Sequence, residues 1–395
     1  MYTVYIIRGD NMLNRINPAV KPIRVPGIRY FANQVADIPN GINLTIGEPD
    51  FATPKQVKDA GILAIEENRT GYSHNAGLYE LRQEVASFFK DTYDFTYDPK
   101  EEIIITNGAS EGLDSVLRTI ICQDDEVILP APIYSAYESI IQLNGGNEVY
   151  LDTTDTGFKP DPERLEALIS EKTKAVILNY PSNPTGVTLS HKEMEAIVNV
   201  LKKHDIFIIS DEIYSENTFN GTHHSFASYQ EIRDQLFLVH GLSKSHAMTG
   251  WRMGFLLGPE DVMKQVLKVH LNNSICASLP SQYAAIEALS HNRAAPSKMN
   301  ESYIERRDFI VDRLQAMGLD VIIPSGAFYI FPSIQQFNLS SYDFAMELLK
   351  QKQVAVVPGS SFSDHGEGFI RISYANSIEQ LKEGMDRLEA FISGF

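Results

Sequence analysis

Lys244 is the residue whose position first suggests chemistry in this sequence. It lies between Ser243 and Ser245, shortly after the apolar run Leu236–Val239, and Arg252 follows it on the same stretch. A lysine amine can add to a carbonyl group, and an arginine guanidinium can bind an anion through paired hydrogen bonds. A lysine taken alone is usually a solvated surface residue, so the interpretation depends on what the fold brings to it.

Similar apolar runs recur along the chain and predict the elements that position this lysine. They are short, continuous and rich in β-branched residues, as expected for strands that are covered on both faces; they span 103–106, 126–129, 175–178, 206–210, 236–239 and 254–258. Helical patterns lie between them, as after Ser190, where Glu193 completes a capping box. The alternation predicts an α/β fold with a doubly wound, mostly parallel sheet.

Five of these predicted strands, all but 254–258, are followed by segments that carry polar residues or glycines. Asn107–Ser110 follows the first run and opens a helix, the segment "NYPSNPTG" follows 175–178, Asp211 follows 206–210, and Lys244 follows 236–239. Each motif alone is weak, but ligands of open parallel sheets bind where the strands end. The set predicts a ligand with an anionic group, a basic ring nitrogen and a carbonyl group, a combination that pyridoxal phosphate has.

The pattern along the chain predicts three parts. Residues 1–45 form an N-terminal arm belonging to a small domain, residues 46–290 a large domain that binds the cofactor, and residues 291–395 the rest of the smaller α+β domain. The arm is predicted from three prolines, Pro18, Pro22 and Pro26. A second methionine suggests the hypothesis that residues 1–11 are an extension from an upstream start.

The composition argues against several classes of function. A net charge of −17 disfavours nucleic-acid binding, which needs clustered lysine and arginine. No stretch is long and apolar enough for a membrane helix. Cys122 and Cys276 lie far apart, so no disulfide framework and no metal site are expected. We expect two inert buried thiols and a cytoplasmic protein.

Six motifs together resemble one family, the fold-type I, class I and II pyridoxal-phosphate aminotransferases. They are "GYSHNAGLYELR", "TNGASEGL", "NYPSNPTG", "SDEIY", "GLSKSHAMTGWRMG" and "PSGAFYIFP", and the likeness covers essentially the whole chain. The resemblance implies a large domain with a mostly parallel sheet, a smaller α+β domain, and pyridoxal 5'-phosphate as the cofactor.

The resemblance also implies roles for residues around the cofactor. Lys244 is the catalytic lysine, which bonds to the cofactor aldehyde and then moves a proton, and Asp211 pairs with the pyridine nitrogen. Asn183 and Tyr214 donate hydrogen bonds to the phenolic oxygen, with Tyr214 one helical turn beyond Asp211. Tyr134 stacks on the ring of the cofactor. The remaining cofactor-binding residues hold the phosphate; they are Ala109, Ser110, Ser243 and Arg252. Tyr137 is assigned to packing.

Three further residues are implied for the substrate and for a second subunit. Arg371, in "FIRISY", clamps the substrate α-carboxylate, assisted by Gly47 and Asn183. Tyr72 reaches the phosphate in the neighbouring subunit's site, which implies a homodimer.

The implied reaction is ping-pong transfer of an amino group from an L-amino acid to a 2-oxo acid such as 2-oxoglutarate. Overall similarity points to N-acetyl-LL-2,6-diaminopimelate in lysine biosynthesis, although no motif carries that assignment. Ser110 stands where some relatives that act on acidic substrates carry a lysine. The alternatives are an aromatic or broad-specificity aminotransferase, a C–S β-lyase and a transcription regulator. We do not expect a regulator, because about 45 residues precede the predicted core and they show no pair of basic helices.

Overall fold

The computed structural model describes residues 12, 14–21, 23, 27–36 and 38–395. The hypothesis about residues 1–11 therefore lies outside the described residues, as do Pro22 and Pro26 of the predicted arm. Pro18 begins a short 3-10 helix, Pro18–Val20.

The described residues form strands and helices that alternate through the first two thirds of the chain. The strands are β1 (Ile42–Asn43), β2 (Ile103–Asn107), β3 (Glu126–Ala131), β4 (Asn147–Asp152), β5 (Thr173–Asn179), β6 (Phe207–Asp211), β7 (Leu236–Gly241), β8 (Met253–Leu257), β9 (Tyr329–Ile330), β10 (Val354–Ala355), β11 (Val357–Pro358) and β12 (Ile370–Ser373). The α-helices are Gly27–Ala36, Lys55–Glu66, Tyr79–Tyr93, Ala109–Ile120, Ala136–Leu143, Pro162–Leu168, His191–Leu201, Glu260–Ser274, Leu279–His291, Ala295–Ala316, Ser341–Lys352 and Ile378–Ile392.

A seven-stranded sheet has the order β2-β8-β7-β6-β5-β3-β4. Strand β8 runs antiparallel to both of its neighbours, whereas β3, β4, β5, β6 and β7 pair in parallel. The six predicted strands are confirmed, and the sheet is mostly parallel. Strand β4 was missed because it lies at the edge and is mostly half-buried, so its sequence "NEVYLD" lacks a continuous apolar run.

The continuous apolar runs are explained by the two covered faces of this sheet. Alternate residues of β2 enter different hydrophobic clusters, with Ile103 and Ile105 on one side and Ile104 on the other. Because successive side chains of a strand point to opposite faces, both sets must be apolar when helices cover both faces. The predicted capping box of Ser190 and Glu193 begins the helix His191–Leu201.

Two small sheets and a third hydrophobic cluster occupy the other part of the molecule. Strand β1 pairs in parallel with β10, and β12 lies between β11 and β9 in antiparallel pairing. The apolar segment 354–358 forms two short strands, β10 and β11, which belong to different sheets. Phe31 and Val35, from the first long helix, enter the same cluster as Leu348. The boundaries after residues 45 and 290 stay a prediction.

Two other features bear on the sequence predictions. No helix among the described residues is long and apolar enough to cross a membrane. Both cysteines are free thiols, but Cys122 is exposed and Cys276 is partly exposed, so the expectation of two buried thiols is wrong.

Candidate active site

The carboxyl ends of the parallel strands open onto a cavity of about 610 Å³. Strand β5 ends at Asn179 and β6 at Asp211, and both residues line the cavity. Every residue assigned to the site from the sequence lines this cavity except Tyr72: Gly47, Ala109, Ser110, Tyr134, Asn183, Asp211, Tyr214, Ser243, Lys244, Arg252 and Arg371. The fold therefore brings together segments that lie far apart along the chain.

Lys244 extends into the cavity from the loop that follows β7. Its Nζ donates a hydrogen bond to the carbonyl oxygen of Gly47 at 2.6 Å. Burial, reinforced by the charges of Arg371 and Arg252, lowers the pKa of Lys244 to about 8, although Glu48 and Asp211 oppose the shift. A substantial fraction of neutral amine is therefore present near pH 8, and the neutral form is the nucleophile and the base.

Asp211 is a buried carboxylate at the last position of β6. Tyr137 donates its hydroxyl to Asp211 Oδ2 at 2.5 Å, and the backbone N–H of Ile213 donates to Oδ1 at 3.2 Å. Burial raises the pKa of Asp211 to about 6 in spite of these donors. A cation beside this carboxylate would favour its ionised form, which makes Asp211 a suitable partner for a protonated ring nitrogen.

Tyr137 was assigned to packing from the sequence; it does pack in a hydrophobic cluster, but the assignment missed a polar contact. Its side chain is fully buried, and its hydroxyl bonds to the Asp211 carboxylate. Its ring also meets Tyr134 edge to face, with ring centroids 5.6 Å apart. No sequence pattern indicates this contact, because it joins the first turn of the helix Ala136–Leu143 to the end of β6, and β5 separates β6 from β3 in the sheet.

The end of the cavity near β2 is shaped to receive an anion. Gly108 has φ +83° and precedes the helix Ala109–Ile120. A Cβ added at Gly108 would lie 2.3 Å from Nη2 of Arg252, so the glycine lets the guanidinium reach the start of this helix. Arg252 is exposed and donates to the carbonyl oxygens of Thr249 at 3.0 Å and Asn107 at 3.3 Å. Free N–H groups at a helix start attract anions.

The helix that begins at Ala109 is fixed by a contact the sequence analysis missed. Glu111 accepts hydrogen bonds from the backbone N–H of Asn107 at 3.2 Å and from Ser115 at 2.7 Å. It also meets Nδ1 of the buried His270 at 3.0 Å, and Nε2 of that ring lies 3.0 Å from the Asn75 carbonyl oxygen. Both ring nitrogens therefore face acceptors, and the histidine links this helix to the loop that carries Tyr72.

Arg371 lies on β12, at the other end of the cavity, and is only 1% exposed. Its Nη1 donates to Asn183 Oδ1 at 2.8 Å and its Nη2 donates to the Thr45 carbonyl oxygen. Its Nε has no hydrogen-bond partner among the described residues. The guanidinium carbon lies 4.4 Å from the ring centroid of Tyr329 and 4.9 Å from that of Phe362.

Tyr214 enters the cavity from the turn after β6. The expectation that a helical turn separates it from Asp211 is wrong, because the strand ends at Asp211 and a 3-10 helix begins only at Ser215. The Tyr214 hydroxyl lies 2.6 Å from the hydroxyl of Tyr329. Tyr329 was not among the site residues predicted from the sequence, although it lies in the quoted motif "PSGAFYIFP".

Tyr72 lies outside this cavity, with 81% of its side chain exposed. Three apolar residues of the helix Lys55–Glu66 are exposed as well: Ile62, Leu63 and Ile65. The described residues contain no group of three or more histidine, cysteine or acidic side chains placed to hold a metal ion.

Comparison with known proteins places this site in a family. The model for aminotransferase class I and II matches residues 39–388. The chain belongs to the class I and II aminotransferases. It is a transaminase that depends on pyridoxal 5'-phosphate, as members of this family are.

Three relatives illustrate the range of this aminotransferase family. A probable N-acetyl-LL-diaminopimelate aminotransferase of Bacillus subtilis is 52% identical, over 96% of both chains. An aromatic-amino-acid aminotransferase of Thermococcus litoralis is 39% identical, over 96% of this chain and 97% of its own. The structure of an aspartate aminotransferase from Thermus thermophilus with maleate has a TM-score of 0.91 and 33% identity, covering 95% of this aminotransferase and 99% of that chain.

The residues of the cavity fit pyridoxal 5'-phosphate. Arg252, the hydroxyl of Ser243 and the first N–H groups of the helix Ala109–Ile120 are suited to its phosphate. Asp211 offers a buried carboxylate for its ring nitrogen, and Lys244 offers an amine of lowered pKa for its aldehyde. When bound, the cofactor supplies an electron sink for the bonds at the substrate Cα.

Proposed function

We propose that this aminotransferase carries an amino group from an L-amino acid to a 2-oxo acid, 2-oxoglutarate, in two half-reactions at one cavity. The observation that carries the proposal is the state of Arg371. It is a buried guanidinium that forms no ion pair with a described carboxylate, and its Nε lacks a partner among the described residues. A buried cation of this kind is stabilised by an anion. Both the amino acid and the 2-oxo acid provide a carboxylate.

The other side chains then have separate tasks. Arg371 and Asn183 hold the carboxylate, so the substrate Cα lies between them and Lys244. With the cofactor bound, Nζ of Lys244 would be the base that takes the proton from the substrate Cα and holds it for return. Asp211, kept in place by Tyr137, keeps the ring nitrogen protonated. The amide oxygen of Asn183 accepts a hydrogen bond from Arg371, which leaves the NH₂ group of Asn183 to donate to the phenolic oxygen together with Tyr214.

The proposed amino donor is N-acetyl-LL-2,6-diaminopimelate, which would place the enzyme in lysine biosynthesis. The support is the 52% identity to the Bacillus subtilis protein that bears this name.

The second candidate is an aromatic or broad-specificity aminotransferase. Among the described residues, the lysines and arginines that line the cavity are Lys244, Arg252 and Arg371. All three have tasks already, so no further described cation binds a distal carboxylate. Ser110 occupies the position of the lysine found in some relatives that act on acidic substrates. This arrangement favours a donor with an uncharged side chain over N-acetyl-LL-2,6-diaminopimelate, and it leaves the distal carboxylate of the proposed acceptor, 2-oxoglutarate, without a described cation.

A half-reaction titration separates the two candidates. The protein loaded with pyridoxal 5'-phosphate is mixed with single amino acids, and the loss of the visible cofactor band is followed. Rapid conversion with glutamate and with N-acetyl-LL-2,6-diaminopimelate supports the lysine-pathway donor. Rapid conversion with phenylalanine and none with the acetylated donor moves the assignment to aromatic substrates. Release of pyruvate and ammonia from cystathionine, without any conversion, would instead indicate a C–S β-lyase.

We further propose that the enzyme is a homodimer in which Tyr72 reaches the phosphate of the neighbouring subunit. The support is the exposure of Tyr72 and of three apolar side chains on the helix that precedes it in the chain, Ile62, Leu63 and Ile65. Mixing Lys244→Ala and Tyr72→Ala variants tests this arrangement. Dimers that contain one of each have one site with both native residues, so up to about a quarter of the wild-type activity returns. If Tyr72 served its own subunit, no activity would return.

The proposal keeps two predictions from the sequence. The large domain spans residues 46–290 and residues 1–45 belong with 291–395, and the enzyme is cytoplasmic. Limited proteolysis that releases a stable fragment with other boundaries would contradict the first.

A further inference from the structure

Tyr329 is a buried tyrosine in direct contact with the cavity to which no role has been given above. Only 1% of it is exposed, and its hydroxyl lies 2.6 Å from that of Tyr214. Strand β9, which carries Tyr329, pairs with β12, which carries Arg371. The Tyr329 ring therefore supports the guanidinium on its face, while its hydroxyl reaches across to the turn after β6.

The backbone around this hydroxyl is adapted to it. A Cβ built on Gly47 would lie 1.8 Å from the Tyr329 hydroxyl oxygen, so a side chain at this position would displace the hydroxyl. Gly47 also accepts the hydrogen bond of Lys244 through its carbonyl oxygen. The close approach of Tyr329 to the site thus depends on the absence of a side chain at Gly47.

Counting hydrogens fixes the direction of the bond between the two tyrosines. A tyrosine hydroxyl has one hydrogen to donate and lone pairs to accept. If Tyr214 donates its hydrogen to the phenolic oxygen of the cofactor, as proposed, Tyr329 must be the donor in the bond between them. A hydroxyl that accepts a hydrogen bond becomes a stronger donor, because bonds in such a chain polarise one another.

We propose that Tyr329 is a positioning residue that donates to Tyr214 and thereby strengthens the Tyr214 hydrogen bond to the phenolic oxygen of the cofactor. This inference rests on the proposed function. Tyr329 acts through Tyr214 and is not itself a catalytic residue. Its ring has the separate task of supporting Arg371, so the hydroxyl and the ring can be tested apart.

The surroundings keep both hydroxyl groups protonated. Burial raises the pKa of Tyr329 and raises that of Tyr214 well above the ordinary value for tyrosine. The other titratable groups that face the pair are Lys244, Arg371 and Tyr134. The Arg371 cation favours a negative charge on the phenolic oxygen, in the same direction as the hydrogen bond from Tyr214.

The test is the pH titration of the visible absorbance of the cofactor-loaded protein. A hydrogen-bond donor to the phenolic oxygen stabilises the anionic form of that oxygen. Weakening the donor therefore makes the proton whose loss changes the visible absorbance harder to remove. Tyr329→Phe should therefore move the midpoint upward by roughly 0.5 pH unit. The KM for the amino acid should stay within about twofold, since the ring under Arg371 is kept. The matched control is Tyr303→Phe, which removes a buried hydroxyl that has no partner among the described residues.

A double-mutant cycle tests whether Tyr329 acts through Tyr214. Tyr214→Phe should raise the midpoint further than Tyr329→Phe does, and adding Tyr329→Phe to it should change nothing more. Gly47→Ala should also raise the midpoint, because the new methyl group displaces the Tyr329 hydroxyl and cannot donate a hydrogen bond in its place. An unchanged midpoint in Tyr329→Phe, or additive shifts in the double variant, overturns the inference and leaves the proposed function intact. A wild-type protein that binds no pyridoxal 5'-phosphate overturns both.

Discussion

Arg252 and Arg371 are two arginines at opposite ends of one cavity, and their surroundings differ. Arg252 is exposed and bonds to two backbone carbonyl groups beside the start of a helix. Arg371 is buried, bonds to one side chain and one carbonyl group, and keeps an unpartnered Nε. The first is held mainly by backbone geometry and the second by packing against aromatic rings.

The difference matches the ligands proposed for the two ends. The phosphate of a resident cofactor arrives once and stays, so a site built largely from backbone and open to solvent is sufficient. A substrate carboxylate must bind and leave in every half-reaction. A buried guanidinium without a counter-ion gives that carboxylate a strong partner and gives specificity for compounds that carry one.

Removing Lys244 should have the largest effect, since the cofactor held at one end of the cavity and the substrate held at the other both react with this residue. Lys244→Ala should abolish the visible band of the covalently bound cofactor and lower turnover by about 1,000-fold or more, because nucleophile and proton carrier are lost together. Lys264→Ala is the control, since that lysine lies on an exposed helix and pairs with Glu260. Stopped-flow absorbance with a good amino donor measures both. Turnover retained in Lys244→Ala would contradict the role of this lysine.

Arg371→Ala should weaken substrate binding at one end of the cavity without weakening cofactor binding at the other. It should weaken amino-acid binding by about 2–5 kcal/mol, since one partner of a buried charged pair is lost. The cofactor should stay bound, because Arg252 is untouched. Arg313→Ala, at an exposed ion pair with Asp386, is the control. Substrate titration and dialysis against buffer measure the two quantities. Loss of the cofactor from Arg371→Ala would remove the proposed division between the ends.

Asp211→Asn should change the pH dependence of stability of the cofactor-free protein. The folded-state pKa of Asp211 is about 6, raised from 3.8 by burial, so the folded protein holds a proton that the unfolded chain has released between these values. The stability contributed by Asp211 is full below pH 4 and is lost as the pH rises through 6. The asparagine does not titrate, so the variant should gain about 2 kcal/mol over wild type between pH 4 and pH 7.

Urea unfolding of the cofactor-free proteins at several pH values measures this difference. Asp261→Asn is the control, because that side chain is 99% exposed. A constant difference between Asp211→Asn and wild type across this range would contradict the buried state of the carboxylate. With the cofactor bound, the same substitution should slow proton removal from the substrate.

Gly108→Ala should have the smallest effect and probes the exposed end. The new Cβ would meet the Arg252 guanidinium, and φ at this position is +83°. Gly221→Ala is a matched control, since Gly221 has φ +90° but open space around it. We expect Gly108→Ala to cost about 1 kcal/mol of stability beyond the control and to weaken cofactor binding measurably. Equal effects of the two substitutions would show that the contact with Arg252 is unimportant.

The sequence was sufficient to bring together in one cavity the residues that follow the end of an apolar run. Lys244, Asp211 and Ala109 each follow a run that is apolar on both faces, and the ends of parallel strands meet at one edge. The resemblance added Arg371 and Gly47, which no such run identifies.

The sequence was insufficient where a contact depends on the relative placement of distant segments. Tyr329 meets Tyr214 because β9 lies beside β12 and because Gly47 leaves space for its hydroxyl. Tyr137 bonds to Asp211, which lies on a strand that is not adjacent to β3. His270 joins a helix to the loop that contains Asn75. None of these pairs has a periodic signature, so each became visible only with the fold.

The reversed direction of β8 has a consequence for the length of chain that the site requires. Parallel strands present their last residues at the site, whereas an antiparallel strand presents its first. Residues 242–252 therefore suffice to join the end of β7 to the start of β8. This segment contains both Lys244 and Arg252. One short connector carries both the residue proposed to bond to the aldehyde and a residue proposed to bind the phosphate. An insertion in this connector would change the spacing of the two, so we expect it to tolerate substitutions better than changes in length.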